Sequence, residues 1–433
     1  MQTPTTTTNE KFLTKPLLII FLTIFIDLLG FGIVIPLLTF YAEDFNASPF
    51  DIGLLVASYS LMQFIFAPIL GGLSDKYGRR PILFLSIIGS GIGYLMMGLA
   101  GTLWMIYAGR ILGGITGGNL STAQAYIADV TTRENRAKGM GLFGMAFGLG
   151  FIFGPALAGI LSIYGHEIPF LFAAGLSFAN ALMLYFILPE SRKFTEAVIE
   201  RKSRFSELFD SLKDSRFTII TTEYFLLVTA FSMMTTSFAY FTITNFGYSA
   251  SETGYLLGYV GLIAVVMQGG LFGILAKKFG EAKLAIFGCL MLVLSLIAVP
   301  LVTKDSGLFV ASLVAEKYPQ ISKFLVEHGG LIALLIGTAC FSLGNSMASP
   351  SLTSLASKNA NEFEQGKVLG IMQSAASLAR VIGPLICGFL LNNALNQVDA
   401  FTLKRTFWTA SGLMFLTFLV AVYYLIKQKQ KTI

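Results

Sequence analysis

Charge is what this chain has least of. Of its 433 residues only 12% are Asp, Glu, Lys or Arg, while 55% are apolar. A soluble globular domain carries roughly a quarter charged residues, so that class is excluded and repeated passage through a bilayer is implied. Histidine is nearly absent: His166 and His328 both fall in predicted loops and leave little for imidazole catalysis. The three cysteines, Cys289, Cys340 and Cys387, all lie in apolar runs and imply neither a disulfide framework nor a metal site. No phosphate-cradling glycine loop, zinc spacing or nucleophile constellation occurs, so nothing points to an enzyme or to a bound cofactor. The net charge of +6 does not signal a nucleic-acid partner, because the bases follow a membrane pattern.

What is present is a series of long apolar runs. At roughly 20–25 residues per span, about twelve helices fit. In the first half they are expected at 16–39, 51–72, 81–100, 103–128, 137–163 and 168–188. The second half offers 217–245, 252–276, 283–303, 330–356, 367–391 and 403–426. The run that follows the polar start MQTPTTTTNEKFLTK is too long for a cleaved signal peptide and reads as the first span. The longest polar stretch lies over 189–216 and reads as a linker with one short surface helix. Most of the 30 Lys and Arg fall in connections on one side of this layout, together with both termini. By the positive-inside rule that side is cytoplasmic.

The chain also repeats itself. GGLSDKYG at 71–78 aligns with GILAKKFG at 273–280, an offset of 202. Gly154-Pro155 aligns with Gly383-Pro384 at an offset of 229. The difference of 27 residues is taken up by a polar insertion at 304–329, expected as an enlarged external loop. The expected fold is therefore an all-α membrane protein, with twelve transmembrane helices in two pseudo-symmetric six-helix bundles. These would be 1–188 and 217–433, joined by the linker. Duplicated bundles around a midplane site are the architecture of secondary transporters.

Between the second and third runs stands GGLSDKYGRRP, residues 71–81, with Gly72, Asp75, Arg79 and Arg80. Such charges do not lie in hydrocarbon, so this is a short hinge. It resembles the loop signature of the major facilitator superfamily. Three stretches agree: Asp27 to Pro36 (DLLGFGIVIP), Arg110 to Gly117 (RILGGITG) and Gly150 to Gly159 (GFIFGPALAG). They are similar to the first-helix, arginine and antiporter motifs of twelve-span drug/proton antiporters, with Ala158 where glycine is usual. The whole chain is closest to the tetracycline-efflux branch, including AYIADVT at 125–131 and LPES at 188–191. That branch is expected to carry a histidine in helix 8 and an aspartate in helix 9. Here stand Ala264 and an uncharged AIFGCLMLVLSLIAV, although a matching glutamine, Gln268, remains. Tetracycline itself is therefore not the expected substrate.

Four charges lie inside predicted spans, where they are costly and usually functional: Asp27, Arg110, Glu223 and Arg380. Asp27 reads as a proton or substrate coupling group, or else as a structural partner of Arg110. The resemblance ties Arg110 to proton relay, and its alternative is an internal salt bridge. Glu223 reads as a second protonatable group, a cation contact or a side chain snorkelling to the interface. Arg380 has Phe151 as its repeat-mate, so it stands outside the duplicated plan. It would favour an anionic or zwitterionic substrate, unless it pairs with Asp27 or Glu223. Ser121, Gln124, Gln268, Asn345 and Gln373 are the other cavity candidates. Gly150, Gly154, Pro155, Gly383 and Pro384 read as helix-packing and bending positions.

Asp75 is expected near the N-terminus of a neighbouring helix, and Arg79 near Asp129. The resemblance makes these contacts a conformational latch that holds the cytoplasmic side shut in the outward-open state; the alternative is that the bases only fix topology. The expected activity is proton-coupled efflux of small amphiphilic molecules by alternating access, as a multidrug or tetracycline-like exporter. It would need a small-molecule substrate, protons, the lipid bilayer and no cofactor, and would be carried out by a functional monomer in the plasma membrane. An importer of an anionic metabolite is the alternative, and a membrane scaffold that no longer transports is a third reading.

Overall fold

The computed structural model describes residues 14–132, 135–191, 215–316, 318–358 and 365–430. Among these, every regular element is helical. The surface helix expected within 189–216 falls on residues outside those described. In chain order the first part contains α1 (Lys15–Glu43), α2 (Pro49–Tyr77), α3 (Arg79–Gly98), α4 (Leu103–Thr116), α5 (Asn119–Val130), α6 (Arg136–Leu161) and α7 (Ile168–Ile187). The second part contains α8 (Ser215–Phe246), α9 (Ala250–Val266), α10 (Phe272–Phe279), α11 (Glu281–Ala298), α12 (Gly307–Val314), α13 (Pro319–Lys358), α14 (Gln365–Leu391) and α15 (Ala400–Gln430). With α4–α5 and α9–α10 each counted as one passage and α12 as part of the insertion, these are twelve helical passages among the described residues, ten of them long and apolar enough to cross a membrane.

The helices are apolar on most faces because lipid, like a core, accepts apolar side chains and offers no partner for backbone amides. Leu85 on α3 and Phe186 on α7 are correspondingly exposed, and Trp104 stands out at a helix start where an aromatic ring suits the interface. The serine before α2 caps it: Asp51 N donates to Ser48 Oγ at 3.2 Å and Ser48 N donates to Asp51 Oδ2 at 2.9 Å. Ser249 and Glu252 repeat this box before α9, with Ser249 N donating to Glu252 Oε2 at 2.8 Å.

Those two boxes are 201 residues apart, whereas the hinge sequences are 202 apart. The extra residue is visible. Between α9 and α10 the chain makes a π-helical turn over Met267–Leu271, and a π turn inserts one residue into an α-helix. The eighth span is thus not the uniform helix expected over 252–276.

Two further expectations need correcting. The fourth span is broken at Gly117-Gly118, between α4 and α5. There α2 comes so close that a Cβ on Gly117 would lie 2.7 Å from the Tyr59 hydroxyl, and one on Gly118 2.8 Å from Ala67 Cα. Gln63 satisfies the freed backbone, its amide donating to the Gly117 carbonyl at 2.9 Å. The insertion at 304–329 is mostly helix rather than loop. α13 starts at Pro319, and α12 folds back on it. Gly307 and Gly329 allow the crossing, since a Cβ on Gly307 would meet Gly329 Cα at 2.7 Å. His328 accordingly lies in α13 and not in a loop.

Within the first part the main packing is α1 on α6, α3 on α7 and α4, and α2 on α4. Within the second it is α11 on α13 and α15, and α8 on α14 and α15. The principal contacts between the two sets are α2 with α14 and α6 with α9. Both crossings are made by glycine near the end remote from the hinge. A Cβ on Gly53 would lie 2.4 Å from the Pro384 carbonyl oxygen, and one on Gly254 2.8 Å from Gly159 Cα. Small residues let helix backbones touch in this way. At the hinge end of the same helices the sets splay. Among the described residues, a Cβ on Gly72, Gly269, Gly273 or Gly370 would meet nothing within 4 Å. The molecule is closed at the remote end and open at the hinge end.

Candidate functional site

The residues singled out by sequence fall into three places. The first is a polar cluster between the two sets. Asp27 projects from α1, within hydrogen-bonding reach of the Asn119 side chain at the start of α5. The break at Gly117-Gly118 begins a new helix there and brings Asn119 to this point. Arg110, almost fully buried, donates from Nε to the Leu55 carbonyl at 3.3 Å, and its guanidinium lies 4.4 Å from the Tyr59 ring centre. Tyr59 on α2 is the hub: its hydroxyl is within electrostatic range of Asp27, Arg110 and Arg380. The Tyr94 side chain lies over Gly30, where a Cβ would be 2.9 Å from its hydroxyl oxygen. Phe31 stands 5.6 Å from Tyr59 and 5.9 Å from Phe151, ring centre to ring centre, and supplies an aromatic wall.

Asp27 and Arg110 do not pair. Among the described residues no carboxylate lies within 4 Å of Arg110 or Arg380. The alternatives of an Asp27–Arg110 salt bridge, and of Arg380 pairing with Asp27 or Glu223, are therefore absent. In each case the geometry puts something else first: a backbone carbonyl and an aromatic face for Arg110, and the Ser377 hydroxyl at 3.4 Å for Arg380.

The remaining cavity candidates separate. Gln268 sits on the π turn and donates to Ser346 Oγ at 3.4 Å. Gln373 is exposed on the open side of α14, two turns toward the hinge end from Arg380. Gln124 is partly buried on α5. Ser121 is occupied by backbone, its hydroxyl donating to the Gly118 carbonyl at 2.8 Å. It does not continue the Arg110 face, because the helix restarts between them. Asn345 lines a small cavity of the second set together with Leu227, Phe231, Leu292, Phe341 and Met414. Glu223 is the second place. It is 2% exposed, its Oε1 has no hydrogen-bond partner, and Cys289 is its neighbour. It does not snorkel to the surface.

The third place is the hinge. Arg79 Nε is 3.1 Å from Asp129 Oδ2, Nη2 is 2.8 Å from Asp75 Oδ1, and Nη1 donates to Ser74 Oγ at 2.7 Å. Asp75 thus meets Arg79. Glu190 accepts from the backbone of Arg79 at 2.9 Å and of Arg80 at 3.0 Å, which caps α3. Arg80 itself reaches the Tyr185 carbonyl. Gly78, at φ +103°, makes room: a Cβ there would be 2.6 Å from Glu190 Oε2. Changing Glu190 to Ala should strip two amides of their acceptor and destabilise this corner by about 1–2 kcal/mol, seen as a lower unfolding midpoint in detergent. An unchanged midpoint would show that the cap contributes nothing.

The second set carries a charge-inverted counterpart. Glu281 stands 202 residues beyond Arg79, Lys358 stands 229 beyond Asp129, and the two form an ion pair. The two repeat offsets read from sequence thus meet in one contact. The packing positions also resolve. Gly154 abuts Gly32 on α1, Gly150 abuts Leu28, and Gly383 abuts the Thr229 carbonyl on α8.

Sequence reasoning passed over Asn119, Tyr59, Tyr94 and Glu190. Asn119 directly follows a Gly-Gly pair inside an apolar run, and Glu190 sits in the LPES stretch, so both had a local signal. The tyrosines had none, because aromatics are common throughout these helices.

The sequence matches the model of the Major Facilitator Superfamily over residues 20–316 and 320–432. It is 31% identical over 381 residues to the class B tetracycline resistance protein of Escherichia coli, covering 86% of this chain and 87% of that protein. It is 29% identical over 390 residues to multidrug resistance protein 2 of Bacillus subtilis, covering 89% and 90%. The fold is similar to that of a human organic anion transporter at a TM-score of 0.66 and 23% identity, over 94% of this chain and 99% of that one.

Proposed function

The chain belongs to the major facilitator superfamily, and from that premise we propose that it is a proton-coupled exporter of small amphiphilic molecules working by alternating access in the plasma membrane. The observation that carries this reading is Asp27. It is a carboxylate between the two helix sets, beside the Asn119 side chain and with no counter-ion among the described residues, in a molecule open at one end. Such a group can be neutral in one state and charged in another, and so couple proton entry to substrate release.

The two bundles, 1–188 and 217–433, act as the rocking bodies. The basic residues at the hinge support a cytoplasmic reading of that end, with both termini on the same side, and on that reading this is the inward-open state of the cycle. The hinge contacts of Arg79, Asp75 and Asp129, with Gly72 and Arg80 beside them, hold the first bundle rigid as it moves. Glu281–Lys358 does the same for the second. Export fits the relatives, which are named for tetracycline and multidrug resistance. Tetracycline is not the favoured substrate, because the middle of α11 has no carboxylate and Ala264 stands in α9. The working unit is a monomer, since the cluster is assembled within one chain. Arg110 holds the shape of the proton site through Tyr59, and Glu223 is a second proton carrier inside the C-terminal bundle.

The test is transport of a fluorescent amphiphile in proteoliposomes with an imposed pH gradient. Uphill movement should stop when a protonophore collapses the gradient. Undiminished uphill movement after collapse would refute proton coupling.

A further inference from the structure

Arg380 is the one cation of the central cluster whose charge nothing in the described chain answers. Its Nε is buried without a hydrogen-bond partner, and its other contact is the Ser377 hydroxyl on its own helix. The groups within electrostatic range are the phenols of Tyr59 and Tyr224. Arg110, by contrast, is engaged by a carbonyl and a ring. The cluster therefore holds two guanidinium groups and a single carboxylate. A guanidinium inside a bilayer without an anion is costly, and that cost is normally offset by a partner. Its surroundings describe the partner. Phe31, Tyr59 and Phe151 form an aromatic wall beside the cluster. Toward the open end, α14 presents Ser377, Gln373 and Gly370, of which the last two are exposed. A polar track thus leads from the opening to the cation.

We propose that Arg380 is the anion anchor of the substrate site and that the cargo class is planar aromatic monoanions, such as aryl carboxylates. The carboxylate takes the fork of Arg380, and the ring lies against the aromatic wall. The inference rests on the exporter reading for its direction and on Arg380 alone for its chemistry. A planar fork matches a carboxylate bidentately, and lysine does not reproduce that geometry.

Binding to the purified full-length chain in zwitterionic nanodiscs tests the assignment. The probes are 1-naphthoate, 1-naphthamide and 1-naphthylmethylammonium, which share a ring and differ in charge. The acid should bind about ten- to a hundredfold tighter than the amide, and the cation weakest. Arg380→Gln should erase the preference, and Arg380→Lys should keep part of it. Unliganded Arg380→Gln should unfold no earlier than wild type, because an unanswered buried charge has been removed.

Equal binding of acid and amide, an acid preference that survives in Arg380→Gln, or marked destabilisation of that variant each overturns the proposal. So does full competition by chloride, or by anionic lipid in the nanodisc, since either would make the ligand an ordinary ion or a headgroup. The two readings fail separately. If uphill export occurs without any acid preference, the anchor falls and the exporter stands. An Arg380-dependent acid preference with no gradient-driven movement leaves the anchor standing and removes the exporter.

Discussion

Replacing Asp27 by Asn should abolish uphill transport while leaving downhill movement. A difference of one pH unit is worth about 1.4 kcal/mol per proton, roughly tenfold in substrate concentration. That tenfold accumulation should fall to onefold in the Asn variant, because an amide does not titrate. Shape is nearly unchanged, and a side-chain oxygen remains to face Asn119. Folding and binding should therefore persist, and counterflow of labelled for unlabelled substrate should continue. Accumulation ratios measured in the same proteoliposomes decide the matter. Undiminished accumulation in the Asn variant would move the coupling role to Glu223, a buried carboxylate of the second set. Asn119→Ala supplies the graded case, since it removes the partner and keeps the carboxylate.

The second large effect is conformational. A methyl group on Gly53 would be driven to 2.4 Å from the Pro384 carbonyl oxygen and 3.0 Å from Gly388 Cα. Both are backbone atoms of α14, so neither can swing aside. Overpacking of this kind costs about 1–3 kcal/mol. It is felt only while the remote end is closed, so it should shift the two-state equilibrium by roughly five- to a hundredfold toward the opposite opening. Spin-label distances between the start of α2 and the end of α14 would read the shift directly. Gly72→Ala is the control, because its Cβ meets nothing within 4 Å in this state. Unchanged distances in Gly53→Ala would mean that this crossing does not gate the remote end.

Different parts of the molecule were legible to different degrees. Long apolar runs with few charges translate directly into spans, since lipid leaves the backbone no alternative to helix. The duplication was readable from GGLSDKYG and Gly154-Pro155. It was readable closely enough that its two offsets meet at Glu281 and Lys358. The breaks inside spans were harder. Gly117-Gly118 ends α4 because α2 presses on it, and the π turn at Met267–Leu271 takes up one residue of mismatch between repeats. Neither is encoded in hydropathy. The insertion at 304–329 looked like loop because it is polar, yet polar residues outside a bilayer form helices as readily as loops.

For this protein, sequence alone determined the membrane class, the twelve passages, the internal repeat and the presence of four charges inside the spans. Each follows from composition and period, which are properties of the chain and of its solvent. Tertiary structure decided which of those charges share a site. Asp27 and Arg380 come into range of the same tyrosine from helices about 350 residues apart, while Glu223 is held beside Cys289. It also decided that the guanidinium groups lack carboxylate partners within the described chain, and that the glycine crossings close one end and leave the other open. Pairing and gating depend on distances of a few ångströms between segments remote in sequence, and no local pattern records those distances.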